Sequence, residues 1–277
     1  MNDIGIYLQL PFAQHALIAA TLIAVISGLV GPFVAARDMA FAVHGTAELA
    51  FAGAAAGLLV AGDAVAGALI GSLVVATAIG VLGDRPRERN SAIGVILAVG
   101  LGLGVLLLSY YHGFATAATN ILFGQIFGVS TRDVVVLSVI AALVVVVMAV
   151  IFRPLLFASV DPEVAQARGV RVGLLGFVFV YVLALTVTEA AQVVGTLLVL
   201  SLAVTPAATA RQLSANPLRV TAIAVGLALL AADGGLILSF AFDSVKPTVF
   251  VTFISFGGYA LARAYRWLRR DGRILLA

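Results

Sequence analysis

The chain has 277 residues, of which 62% are hydrophobic and only 10% charged, with a mean hydropathy of +1.17. Soluble domains carry about 25% charged residues, so this composition excludes a water-soluble enzyme or binding module and leaves no stretch for a separate soluble domain. There is no cysteine, which excludes disulfides, thiolate metal sites and thiol redox chemistry.

The formal net charge of +3 does not imply nucleic acid, because the charge follows topology. Apart from Arg132 and Lys246, the basic residues gather in five places: Arg37; Arg85, Arg87 and Arg89; Arg153, Arg168 and Arg171; Arg211 and Arg219; and Arg263 to Arg273. Positive residues mark cytoplasmic ends, so the chain is expected to be a multi-pass protein of the plasma membrane with these loops inside the cell. The first ten residues hold Asp3 and no basic residue, which argues against a cleaved signal peptide.

In chain order, apolar runs long enough for about 30 Å of hydrocarbon predict a first helix near 12–34, entering from outside. Helices near 42–61 and 64–83 form a hairpin that turns outside at Gly62 and Asp63. Helices near 92–109 and 132–151 follow the Arg-rich loop at 84–90. The outer segment 110–131 contains Asn120 to Val129, too short to span and expected to be re-entrant or interfacial. Hairpins at about 173–210 and 219–267 complete an all-α polytopic bundle of nine transmembrane helices, or eight if one early segment does not cross. The 173–210 hairpin is tight, and its turn is expected near Glu189 to Gln192. Pro32 and Pro206, each five residues before an arginine, are both expected to end an apolar helix.

Within these spans lie the residues that need explaining. His44 and Glu48 are four apart and share one helix face. A charge at a helix centre in a bilayer costs about 2.5–3.5 kcal/mol on insertion scales. A cation passing through the membrane would offset that cost, and so would a mutual hydrogen bond between the two. Glu189, with Gln192 nearby, is either a pathway residue or a polar tip at the outer surface. Asp233 precedes Gly234 and Gly235, where it would satisfy a helix break. His15 and His112 read as outer-boundary residues, and Asp243 with Lys246 flanks an outer turn. The arginines from Arg263 onward suit anchoring to anionic lipid.

Between two spans, Phe157 to Arg171 carries a compact helix signature. Asp161 is an N-cap, Pro162 fits the first helical position, Glu163 complements the positive end of the dipole, and Gly169 is a stop. Such a helix is either a plain connection or a docking point for a soluble motor. There is no Walker A sequence, no Ser/His/Asp arrangement and no His-Glu-x-x-His motif, so catalysis by this chain is not expected.

Three blocks in register, Gly31 to Phe41, Asp161 to Val170, and Val194 to Arg211, resemble the permease subunit of zinc/manganese/iron ABC importers, the ABC-3 family. The resemblance covers nearly the whole chain. It implies a single permease domain over 1–277 of the type II importer kind, with a coupling helix around 157–171 carrying Asp161, Pro162, Glu163 and Gly169. It implies as partners a second copy of the chain, cytoplasmic ABC ATPases and an extracytoplasmic metal-binding protein, with no nucleic acid. It also implies His44, Glu48 and Glu189 as contacts for a divalent ion that is cargo, with no cofactor held permanently. The family commonly has Asp at the place of His44 and His at that of Glu48. The order is swapped here, and both donor types suit zinc, manganese and ferrous iron. A permease for a metal chelate and a proton-coupled secondary transporter using Glu48, Glu189 and Asp233 are the competing readings; an intramembrane metalloenzyme ranks last.

Overall fold

A computed structural model describes residues 9–82, 86–111, 124–196, 199–242 and 245–274, apart from the side chains of 82, 86–89 and 269–274. Within them every regular element is helical. Helix α1 spans Pro11–Ala36, α2 Ala40–Ala61, α3 Ala64–Leu82, α4 Pro86–Ser109 and α5 Thr131–Val160, with a 3₁₀ turn at Ile126–Gly128 before α5. Then follow α6 (Pro162–Ala167), α7 (Val172–Val194), α8 (Val199–Ala203), α9 (Thr205–Leu213), α10 (Pro217–Ala241) and α11 (Pro247–Ile274).

Among the described residues, seven helices, α1 to α5 with α7 and α10, are long and apolar enough to cross a membrane. The other two expected crossings are not among these seven. Helix α11 has the length, 28 residues, but its second half carries Arg263 and Arg266. The return limb of the 173–210 hairpin is broken into α8 and α9 at Val204. Pro206 is the cause. Its ring would meet the carbonyl four residues back, and it lacks an N–H, so it sits in the first turn of α9, opening a helix where the sequence pattern expects it to close one. Pro32 lies inside α1, one turn before the end. Pro154 likewise lies inside α5, which continues through Val160, well past the expected limit at 151.

The turn of that hairpin is also displaced. Helix α7 runs on through Glu189 and Gln192 to Val194, and Gly195 stops it with φ 100 and ψ 147, a backbone state that only glycine adopts readily. Glu189 is therefore a buried helical residue rather than a polar tip. Beside it, the described part of the outer segment contains a 3₁₀ turn at Ile126–Gly128; 112–123, which include the start of the expected re-entrant stretch, lie outside the described residues. Gly124 has φ 78 and rests on the end of α7, since a Cβ there would fall 2.4 Å from the Val193 carbonyl oxygen.

One buried cluster joins α1, α2, α3, α4, α5, α7, α8, α10 and α11. Helices α2 and α3 approach most closely. A Cβ on Gly53 or on Gly57 would fall 2.3 Å from the carbonyl oxygen of Gly67 or of Asp63, and a Cβ on Gly67 would fall 2.3 Å from that of Gly53. Gly53 with Gly57 and Gly67 with Gly71 are two small-xxx-small pairs meeting backbone to backbone, the arrangement that gives dispersion its shortest distances inside a bilayer. Helix α10 is unbroken through Asp233, so the expected helix break is absent. Gly235 serves close approach instead, its missing Cβ lying 2.7 Å from the Val251 nitrogen on α11.

Candidate metal pathway

Helix α2 starts after Met39 and carries His44 in its second turn and Glu48 one turn later. Small neighbours let other helices close over this face. Gly45 sits against Ile93 and Gly100 against Leu49, so α4 packs without a gap. Glu48 is 3% exposed. Neither Glu48 Oε2 nor His44 Nδ1 has a hydrogen-bond partner, so these atoms do not satisfy each other as a plain structural pair would. Unpaired buried polar atoms are rare in native proteins and point to strain, function or a missing ligand.

Glu189, 4% exposed, occupies the penultimate turn of α7. It lines a cavity of about 160 Å³ whose walls are the Ala50, Phe51 and Ala54 face of α2, Ala64 and Ala68 of α3, and Asp133 and Leu137 of α5. Gln125, Thr188, Gln192 and Thr196 add polar groups to the lining. Three of the lining atoms lack partners: Glu189 Oε1, Gln192 Nε2 and Thr196 Oγ1. Glu189 and Thr196 offer carboxylate and hydroxyl oxygens, hard ligands that match a divalent cation, and the Gln192 amide nitrogen is a donor suited to a water in its shell.

The structure brings His44 and Glu48 together on α2 and gives Glu189 a separate cavity. Phe51, one turn past Glu48, stands in that cavity's lining. No group of three His, Asp or Glu within metal-binding reach forms among the described residues. Asp133 and Gln125 escape a sequence reading. Asp133 is spent on a capping box, its N–H donating to Ser130 Oγ at 3.2 Å while its Oδ2 accepts from the Ser130 amide at 3.0 Å. The Ser130-x-x-Asp133 spacing is visible in the sequence, but it announces only a helix start.

Next to the lining residues Ala64 and Asp133, Arg132 donates from Nη2 to Asp63 Oδ2 at 3.0 Å, tying the start of α5 to the α2–α3 turn. Asp63 Oδ1 also accepts from the Ala66 amide at 3.0 Å. That amide bond, and then Arg132, hold the Asp63 carboxyl below its ordinary range against an opposing desolvation. Asp233 accepts from Thr21 Oγ1 at 3.1 and 3.2 Å and so has a local partner on α1. Asp161 caps α6 by accepting from the Val164 amide at 3.0 Å, Pro162 is the first residue of α6, and Gly169 has φ 84. His112, Asp243, Arg85 and the side chains of Arg87 and Arg89 lie outside the described residues.

Known proteins resemble this chain in sequence and in fold. The manganese transport system membrane protein MntC of Halalkalibacterium halodurans is 30% identical over 85% of this chain and 81% of its own length. The high-affinity zinc uptake system membrane protein ZnuB of Haemophilus influenzae is 27% identical over 85% of this chain and 91% of its own. The solved structure of PsaBC from Streptococcus pneumoniae in complex with Fab superposes with a TM-score of 0.84 at 25% identity, covering 94% of each chain. The sequence model of the ABC 3 transport family matches residues 9–262. A helical membrane protein matched along nearly its whole length in both sequence and fold, this chain belongs to the ABC 3 transport family.

Proposed function

We propose that this chain is the membrane permease of an ATP-driven importer that passes a divalent transition metal inward by alternating access. Manganese, zinc and ferrous iron all fit the donors on offer. The observation that carries the reading is the pair of buried carboxylates, Glu48 and Glu189, each with an unpartnered oxygen on helices that meet in one core. Burying an unpaired charge is costly, and a transient cation is the partner that offsets it. The ion enters the 160 Å³ cavity beside Glu189 and is then handed past Phe51 to His44 and Glu48. A passage site must release its ion, which suits few ligands at each station rather than a closed cage.

The rest of the machine follows from the same reading. Nine passes arise if α11 and the broken α8–α9 limb both cross, within one permease domain. Two copies pair, an ABC ATPase docks on α6 through Asp161, Pro162, Glu163 and Gly169, and an extracytoplasmic metal-binding protein delivers the ion. This chain hydrolyses nothing. The relatives named for manganese and zinc transport support the cargo class, and a cavity of 160 Å³ favours an ion over a chelate. Reconstituted vesicles test it: radioactive metal should accumulate only with the ATPase and ATP present. Accumulation driven by a proton gradient alone would replace this reading with a secondary transporter.

A further inference from the structure

A second cavity, about 450 Å³, lies at the other end of the bundle, between the ends of α1 and α9 and the middle of α11. Three arginines line it: Arg211 from α9, and Arg263 and Arg266 from α11, with Tyr259 and Trp267 beside them. Among the described residues that line it, none is a carboxylate. Tyr259, Arg263, Arg266 and Trp267 follow i, i+4, i+7, i+8 spacing, which sets them on one face of α11. Arg211 Nη1 donates to the Ala35 carbonyl at 2.7 Å, which fixes that guanidinium in the wall and leaves its other nitrogens for a second acceptor.

We propose that this cavity binds the phosphate of an anionic phospholipid headgroup. Guanidinium forks match phosphate oxygens in a bidentate way, and several converging on one space leave a local positive potential. Depth selects the lipid as the source. Arg263 lies 16 residues after Pro247, or about 24 Å along the helix, and Trp267 about 30 Å. Those positions fall at the boundary of a hydrocarbon layer about 30 Å thick, where Tyr and Trp settle and lipid phosphates reside. The site goes beyond general attraction of a basic tail, because it is walled by three helices and includes Arg211, some fifty residues earlier in the chain.

Trp267 is the sole tryptophan of the chain, so its fluorescence reports the cavity directly. The detergent-solubilised full-length protein is titrated with short-chain phosphatidylglycerol, with short-chain phosphatidylcholine and with inorganic phosphate. A saturable change is expected with phosphatidylglycerol alone. Arg263→Gln with Arg266→Gln should weaken it by about tenfold or more, since two charge-assisted pairs are lost. Arg219→Gln, a basic residue outside the cavity, should titrate like the parent protein. Arg263→Lys with Arg266→Lys keeps the charge and the fold and should weaken binding by a smaller factor, which separates lost recognition from lost folding. An equal response to phosphatidylcholine, or an unchanged response in the Gln double variant, would overturn the site. An equal response to inorganic phosphate would overturn the lipid assignment.

Discussion

Glu48 and Glu189 pose the same physical question, because each is a carboxylate closed off from water with an oxygen that no described residue satisfies. If they exist to meet a cation, removing charge should harm transport and help folding. Glu48→Gln and Glu189→Gln should each lower metal uptake by about tenfold or more, while thermal stability in detergent holds or rises as a buried charge is removed. His44→Ala should lower uptake similarly. The decisive variant joins His44→Leu to Glu48→Leu: two residues that served only each other could be replaced together by apolar ones with full uptake, and that outcome would remove the metal contact. The sequence singles out His44 and Glu48 because an acid and an imidazole four apart in an apolar run need either a cation or each other. The burial of Glu189 was not legible, since it depends on where Gly195 ends α7, six residues later. Gln125 and Asp133 reach the cavity only through tertiary packing.

At the level of elements, two small features carry large expectations. Helix α6 has six residues and depends on its cap and its stop. Glu163→Lys opposes the helix dipole and Gly169→Pro cannot adopt φ 84. Both should uncouple transport, seen as loss of ATPase co-purification from a protein that still folds. Normal co-purification and uptake in both variants would make α6 a plain connector. The α2–α3 crossing is the second feature. Gly53→Leu or Gly67→Leu must force backbone apart, a cost of about 1–3 kcal/mol or more for overpacking, and the melting temperature should fall accordingly. Gly102→Leu, facing open space on α4, should melt close to the parent protein. Element type was legible throughout from apolar run length. Ends were less so: α5 carries its helix past Pro154, because a proline can sit inside a long helix when neighbours cover the freed carbonyl.

For the whole molecule, the gathering of arginines at one end of the bundle fixes how it should lie in the membrane. The absence of cysteine makes single-cysteine labelling clean. A cysteine at Arg168 should resist an impermeant reagent added outside intact cells, and one at Asp63 should react; the reverse pattern would invert the molecule. This global reading came almost entirely from the sequence, because charge asymmetry is a one-dimensional signal. The broken return limb did not, because hydropathy cannot distinguish one helix from two short ones meeting at Val204.

The glycine contact between α2 and α3 has a mechanical consequence. Two helices whose backbones touch cannot slide past one another without separating first, so the hairpin must swing as a single stiff lever. One arm bears His44 and Glu48, and the tip, about 20 Å past Glu48 along α2, bears the Asp63 tether to Arg132 beside Ala64 of the cavity wall. Motion at either end is then felt at the other without any deformation between. Spin labels placed on α2 and α3 should keep one fixed separation through the nucleotide cycle, while the distance from α3 to α5 changes. A changing α2–α3 separation would mean that the lever bends and that its two ends move independently.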